Sequence, residues 1–551
     1  MKHSTRIFLF LSVAFLGAFL FYPMADVFGR TFFYQGRFSP GLFVLTLSSP
    51  VIRTALSNSF LMALASVLFS SLIALPLAVI FSNYDFPLKR LLSGITLVPL
   101  ILPPFVGALG IQRLFGRYGL VNLFLGTAPF DWLSQTGLLS VAFLQSLHLF
   151  PIMYLNLTAA LSNINPEHKE AARLCGAGPS RVFRDITLPL ALPGFYAGAV
   201  IVFLWSFTDI GTPLILGFRR ALAVEIFDRT SAVNSDPTGP AMVVFVALIT
   251  FFFIFLFKRF LSTDASGPGG KGVRAAEIAR PSVKGLFFIY PFLFVVLFIA
   301  LLPHMGIVLM SIAEKWFMTA LPEKIGLGFY RDALSGSGVM LSAGNSLLYS
   351  AVSTLADVVL GFWFAYLIVR RKIRAGWVMD AVVMLPLALP GLVLAFGYLA
   401  AFSGTFLDPL VNPVPLLIIG YAVRRLPYTF RAAYAGLQQV GPEYEEAARV
   451  CGAGPLRSVL TIALPLSAAG LIAGAILAFM YAMLEVSESM ILAVKEQFFP
   501  ITRELYLLRG KLPDGDFVAS ALGVLCMFFL AVGLTAAATL LGKHLGKMFR
   551  M

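Results

Sequence analysis

The sequence predicts an all-α polytopic membrane protein of about twelve transmembrane helices, arranged as two tandem modules. Of its 551 residues, 59% are hydrophobic and only 12% are charged. Mean hydropathy is +0.87, so too little polar surface exists to cover a soluble fold of this length. The apolar residues fall in runs of about 20, the length of a bilayer-crossing helix. Strand-like alternation is absent, which leaves helices to satisfy the backbone in lipid. Finally, a polar stretch, EAARLCGAGPSRVFRDITLP at 170–189, returns as EAARVCGAGPLRSVLTIALP at 446–465.

Taken in order, the predicted span cores are 7–24, 58–81, 91–111, 138–161, 189–216, 239–257, 285–311, 346–369, 377–402, 412–430, 465–494 and 518–541. The first follows Lys2 and Arg6 as a secretory signal would. It is long for one and no small-residue cleavage site follows, so it reads as an uncleaved span. An even count puts both termini on one side. Segments 1–6, 82–90, 162–186, 258–284, 370–376, 424–462 and 543–551 share that side and hold most of the 41 Lys and Arg residues. The positive-inside rule makes them cytoplasmic, both termini included, and makes 25–57 and 312–344 outer loops.

The net charge of +14 lies in short clusters between spans, a pattern that membrane topology explains and that argues against nucleic acid as a partner. Membrane lipid is the partner those clusters imply. Cys175 and Cys451 occupy the same place in the two polar stretches and Cys526 lies in an apolar run, so no disulfide framework is expected. GPGGKG in the Gly- and Lys-rich linker lacks the spacing of a phosphate-binding loop, so the chain supplies no ATPase site.

Between 166–194 and 442–470, 17 of 29 aligned positions are identical, at an offset of 276. NSFLMALASV at 58 aligns with NSLLYSAVST at 345, an offset of 287 that also carries VPLILPPFVGALG onto LPLALPGLVLAFG. The order is kept, so the repeats are tandem. The expected division is a first helix and outer loop (1–56), module 1 (57–259), a cytoplasmic linker (260–283), a seventh helix and outer loop (284–343), module 2 (344–543) and a cytoplasmic tail (544–551).

The polar stretch encodes a helix, a tight turn and a second helix. Asn165 caps a helix with Pro166 at its first position and Glu167 in its first turn, and Gly441, Pro442 and Glu443 repeat this start. Gly176 ends the first helix, Pro179 begins the next, and Pro189 leads into the membrane. An amphipathic connector resting on lipid would need bulky apolar anchors, whereas Ala171 and Ala172 offer a smooth surface to another protein.

EAA, three residues, Gly, nine residues, I-x-LP resembles the signature loop of the permease subunits of binding-protein-dependent, type I ABC importers. It occurs twice, as Glu170, Ala171, Ala172, Gly176, Ile186, Leu188, Pro189 and as Glu446, Ala447, Ala448, Gly452, Ile462, Leu464, Pro465. The resemblance covers 57–259 and 344–543. It implies that the loops at 162–188 and 438–464 are coupling helices seated in two copies of a separate ATP-binding subunit, with ATP and magnesium held there and no cofactor bound by this chain. It further implies a transport subunit rather than an enzyme, and a periplasmic or lipid-anchored substrate-binding protein as partner. The location implied is the inner (plasma) membrane of a prokaryote. A fused pair of modules looks most like the iron(III) permeases, with thiamine, 2-aminoethylphosphonate and polyamine as alternative cargoes.

Inside the membrane, Asp209 aligns with Glu485 and Glu488 follows one turn later. These carboxylates either line the outer end of the translocation path, favouring a cation, or pair with outer-loop residues such as Arg219, Arg220 or Arg229. Pro103 and Pro390, with Pro99, Pro104 and Pro386, break the third and ninth spans and build either a path wall and hinge or a packing kink. Met483 and Met490 read as packing residues, and no catalytic residue or metal-ligand set is assigned. Twelve spans and tandem repeats also occur in ion-coupled secondary transporters, which need no pair of identical docking loops.

Overall fold

The computed structural model describes residues 10–34, 37–125, 130–230, 236, 238–261, 279–316, 319, 321–371, 376–511 and 514–541. Most of the predicted linker, the first residues and the predicted tail lie outside these. The helices that matter here are α1 (Phe10–Phe32), α2 (Pro50–Asn83), α3 (Lys89–Leu100), α4 (Pro104–Phe115), α5 (Leu138–Ser162), α6 (Pro166–Leu174), α7 (Pro179–Phe207), α8 (Thr238–Leu261) and α9 (Val283–Ser311). In the second repeat follow α10 (Ser337–Val369), α11 (Gly376–Ala388), α12 (Gly391–Phe402), α13 (Val414–Gln439), α14 (Glu443–Val450), α15 (Pro455–Met483), α16 (Ile501–Lys511) and α17 (Gly515–Leu541).

Among the described residues, nine helices are long and apolar enough to cross a membrane, and eleven if each of two bent pairs counts as one span. The one predicted span left over, the tenth, is α13. It falls outside that test because it carries Arg424, Arg425 and Arg431. It also runs to Gln439, well past the predicted end at 430, so these arginines sit within the helix rather than in a cytoplasmic loop. The third and ninth spans are not straight: the backbone turns by 98° between α3 and α4 and by 97° between α11 and α12. Pro103 and Pro390 adopt extended ψ values at these corners, which stops one helix and pre-sets the first turn of the next.

The chain divides into two compact units that do not follow chain order. One comprises 1–53, 225–248 and 330–549, and the other comprises 54–224, 249–329 and the last two residues. In the first unit α1 packs on α12, where Gly397 lets Pro23 and Met24 close in: a Cβ there would meet Pro23 Cβ at 3.2 Å. In the second unit α9 packs on α4, where Gly110 and Gly306 bring two backbones together. A Cβ on Gly306 would lie 2.8 Å from the Gly110 Cα. The leading helix of each repeat thus packs on the bundle of the other. Small residues at such crossings are how membrane helices gain contact without a hydrophobic driving force.

Within each unit the bundle repeats the same packing device. Gly198 on α7 meets Met153 on α5, and the aligned Gly474 on α15 meets Thr429 on α13, a Cβ in either case falling 3.0 Å from the partner Cα. Around the first contact Leu77, Phe81, Phe150, Met153, Tyr154 and Val202 form a buried core. Among the described residues the only strands form two-stranded hairpins, Phe33–Tyr34 with Arg37–Phe38 and Ala313–Lys315 with Lys324–Ile325, one after α1 and one after α9.

Candidate functional site

The repeated polar stretches form α6 and α14 with the continuations into α7 and α15. Asn165 Oδ1 accepts from the Glu167 N–H at 3.1 Å, capping α6 as its sequence predicts. The second copy lacks a side-chain cap and starts one residue later, at Glu443. Both helices end alike. Gly176 (φ +82°) and Gly452 (φ +85°) take the left-handed conformation, and the N–H groups of Ala177 and Ala453 reach back to Ala172 O and Ala448 O at 2.9 Å.

Pro189 and Pro465, which lead into the membrane spans, lie inside continuous helices that begin at Pro179 and Pro455. A proline in a helix lacks an N–H and its ring crowds the carbonyl four residues back. Here the turn just before each proline is widened to a π turn, Phe183–Thr187 and Val459–Ala463. Leu188 N–H bonds Phe183 O, and Leu464 N–H bonds Val459 O. The Leu-Pro pair therefore marks a wide turn, not an end, and Ile186 and Ile462 sit within it, half-buried.

Glu170, Ala171, Glu446 and Ala447 are exposed, with Ala172 and Ala448 half-buried behind them. Leu174 and Val450 at the aligned helix ends are 90% and 89% exposed, a bare apolar patch in each loop that the alanine argument overlooked. Arg184 Nε donates to Asp185 Oδ1 at 2.7 Å, and this guanidinium holds the Asp185 carboxyl below the usual carboxylate range. Thr461 stands at the aligned place in the second copy.

The membrane carboxylates sit in two different settings. α7 ends at Phe207 rather than 216. The half-buried Asp209 organises the break, accepting from Gly211 N–H and from Gln145 Nε2, both at 3.0 Å. Gln145 in turn joins buried Ser66 and Ser206, so this cluster is neutral apart from the aspartate. In the second repeat α15 ends at Met483, and Glu485 and Glu488 flank the start of a short helix, Ser487–Leu492.

Glu485 accepts from Arg424 at 2.6 Å and from Arg425, both on α13, and Arg424 lies 3.5 Å from Glu488. Arg425 also donates to Tyr481 O at 2.9 Å, and Tyr421 and Ser489 hydroxyls meet at 2.7 Å. Glu485 and Glu488 are 6% and 0% exposed, so the arginines of α13, not those of the outer loops, neutralise them. Arg229 instead bonds Glu225 and Asp236. Arg424 is missed when the tenth span is ended at 430 with its charges counted as loop. The signal for it is an Arg pair inside a 26-residue helical run, at the offset of 276 from His148, whose Nδ1 contacts Pro99 O at 2.7 Å. The corresponding corner of the ninth span also meets this position, since a Cβ on Gly391 would collide with Arg424 and lie 3.1 Å from Glu485.

A family profile described as "Binding-protein-dependent transport system inner membrane component" matches the chain twice, at 67–262 and 357–547. The chain is 26% identical to the ferric transport system permease protein FbpB of Actinobacillus pleuropneumoniae over 93% of its own length and 75% of the relative's. It is also 26% identical to a putative ferric transport system permease protein FbpB 1 of Haemophilus influenzae, over 85% and 75% of the two chains. The molybdenum transport system permease protein ModB of Escherichia coli K12 is 34% identical over 31% of this chain and 73% of its own. A solved bacterial ABC transporter involved in alginate import is 18% identical, covering 48% of this chain and 97% of that one, with a TM-score of 0.40.

Proposed function

Because the chain belongs to the family of binding-protein-dependent transport system inner membrane components and is an ABC importer permease, we propose that it carries ferric iron delivered by an external binding protein. The observation that carries the iron reading is extent. The ferric permeases align along 85–93% of the chain, whereas the molybdenum permeases cover 31–43% of it. Thiamine, 2-aminoethylphosphonate, polyamine and molybdate are the competing cargoes.

In this reading, two copies of an ATP-binding subunit seat the exposed faces of α6 and α14 through Glu170, Ala171, Ala172 and Leu174 and through Glu446, Ala447, Ala448 and Val450. The loops face the cytoplasm with both chain termini, in a prokaryotic inner membrane. Closure of the ATPases pushes α6 and α14, and because the helix that follows each tight turn, from Pro179 or Pro455, runs without a break into the membrane, the push passes through the turn into α7 and α15. Pro103 and Pro390 serve as corners of the path wall. Asp209 stands at its outer end, and Glu485 and Glu488 hold α13 to the end of α15 rather than presenting bare charge, since their arginine partners cancel it.

Reconstitution with the ATPase and its cognate binding protein tests both levels. Ferric ion on the binding protein is expected to stimulate ATP hydrolysis and uptake. Stimulation by molybdate, thiamine, phosphonate or polyamine instead would replace the cargo and keep the importer. Replacing Glu170 and Glu446 together by Ala is expected to abolish the stimulation while the protein still inserts. Full uptake by that variant would refute the coupling role.

A further inference from the structure

The two loops are joined to their own bundles by contacts at matching positions but of unlike chemistry. In the second repeat Glu445 is 2% exposed, although its helix α14 otherwise lies on the surface. Its carboxylate accepts from Arg370 Nε at 2.7 Å and from the Tyr366 hydroxyl at 3.0 Å, and its backbone carbonyl accepts from Ser458 Oγ at 3.3 Å. Arg370, just past the end of α10, also donates to Val440 O at 2.6 Å, the residue that leads into α14. Arg449, one turn on, adds an attraction at 3.6 Å.

The offsets of 276 and 287 identify each counterpart in the first repeat. Glu445 becomes Lys169, Arg370 becomes Asn83, Tyr366 becomes Val79, Ser458 becomes Val182, and Arg449 stays Arg173. Of the four partners two, Tyr366 and Ser458, lose the group that made the bond, Arg370 changes from a guanidinium to an amide, and Arg449 is kept. What remains is Lys169 Nζ donating to Asn83 Oδ1 at 3.2 Å on a half-buried side chain. The arginine that attracts Glu445 in one loop repels Lys169 in the other, and burial together with Arg173 holds the Lys169 ammonium below its ordinary value. No residue of α6 is buried, in contrast to α14.

We propose that the two coupling loops are mechanically unequal. Glu445, Arg370 and Tyr366 are positioning residues that fix the second loop rigidly to α10, while the Lys169 to Asn83 contact leaves the first loop free to shift against α2. The proposal rests on the coupling reading for its consequence, since a fixed loop passes the ATPase stroke into its bundle and a loose one absorbs part of it. Its structural half stands without that reading.

Hydrogen exchange on the permease alone in lipid nanodiscs tests the structural half. The amides that close the two helices, Cys175 and Cys451, make the same bond at the same length of 3.0 Å, so they are matched probes. The second is expected to exchange about tenfold more slowly, because it opens only when the buried anchor breaks. Glu445→Gln should bring it close to the first. The reversed pair Arg370→Glu with Glu445→Arg should restore slow exchange, which separates lost anchoring from misfolding. Transplanting the anchor as Val79→Tyr, Asn83→Arg and Lys169→Glu should slow the first loop. Equal exchange of the two loops in the unaltered protein, or no response to the transplant, overturns the proposal.

The assembled importer tests the consequence. Glu445→Gln should lower substrate moved per ATP about tenfold with hydrolysis retained, whereas Lys169→Gln should change it by less than about twofold. Equal losses from the two variants would overturn the inequality of coupling. Failure of the coupling reading itself is registered separately, by unaltered uptake when Glu170 and Glu446 are both replaced.

Discussion

Glu485 shows how much depends on which neighbours a buried charge finds. Its carboxylate shares two guanidinium groups inside a helical bundle, so removing it leaves Arg425, 5% exposed, without its main partner. Breaking a buried pair from one side costs about 3–5 kcal/mol. Asp209, at the aligned place, is held by an amide and a backbone N–H, and losing hydrogen bonds of that kind costs about 1 kcal/mol apiece. Glu485→Ala is therefore expected to lower the melting temperature of the purified protein several times more than Asp209→Asn. Equal shifts in a thermal melt would contradict the buried ion pair. The acidic residues were legible in the sequence because a carboxylate in an apolar run stands out. Their partners were not, because adjacent arginines close to a predicted span end look like a positive-inside flank until the helix is seen to continue to Gln439.

At the level of single elements, the loops read most clearly where local chemistry decides the backbone. Asn165, Gly176, Pro179 and Gly452 are start and stop signals whose effect reaches only a few residues, and they act in the structure as written. The π turns before Leu188 and Leu464 were not legible. Proline announces a conflict with the helix, but whether the chain resolves it by stopping or by widening depends on the long span that follows. The left-handed glycines give a direct test. Gly452→Val puts a branched side chain at φ +85°, a strain of about 1–2 kcal/mol. It should weaken ATPase stimulation at unchanged membrane abundance. Gly178→Ala is the control: its φ of −69° suits any residue and nothing lies within 4 Å of the added methyl, so stimulation should stay at the unaltered level. Similar losses from both would show that left-handed geometry is not what the loop needs.

The whole molecule departs furthest from what repeats can reveal. Alignment of the two halves establishes order and equivalence, but it carries no information on which bundle a leading helix joins. That choice is made by close contacts such as Gly306 on Gly110 and Pro23 on Gly397, which involve residues 196 and 374 positions apart. A chain cut between 262 and 278 and expressed as two fragments should accordingly purify as one particle in mild detergent, since α1 is part of the unit built from the second fragment and α9 of the unit built from the first. Gly306→Leu, which has no room beside the Gly110 backbone, should weaken that association. Fragments that separate freely without the substitution would contradict the exchange of helices.

The widened turn also bears on symmetry. Both halves carry it at the same aligned place, followed by the same Leu-Pro pair. Lys169 opposite Glu445, and Asn83 opposite Arg370, are where the halves differ. The backbone device is thus present in duplicate while the side chains that brace it are not, an asymmetry that two coding segments permit and one segment expressed twice would not.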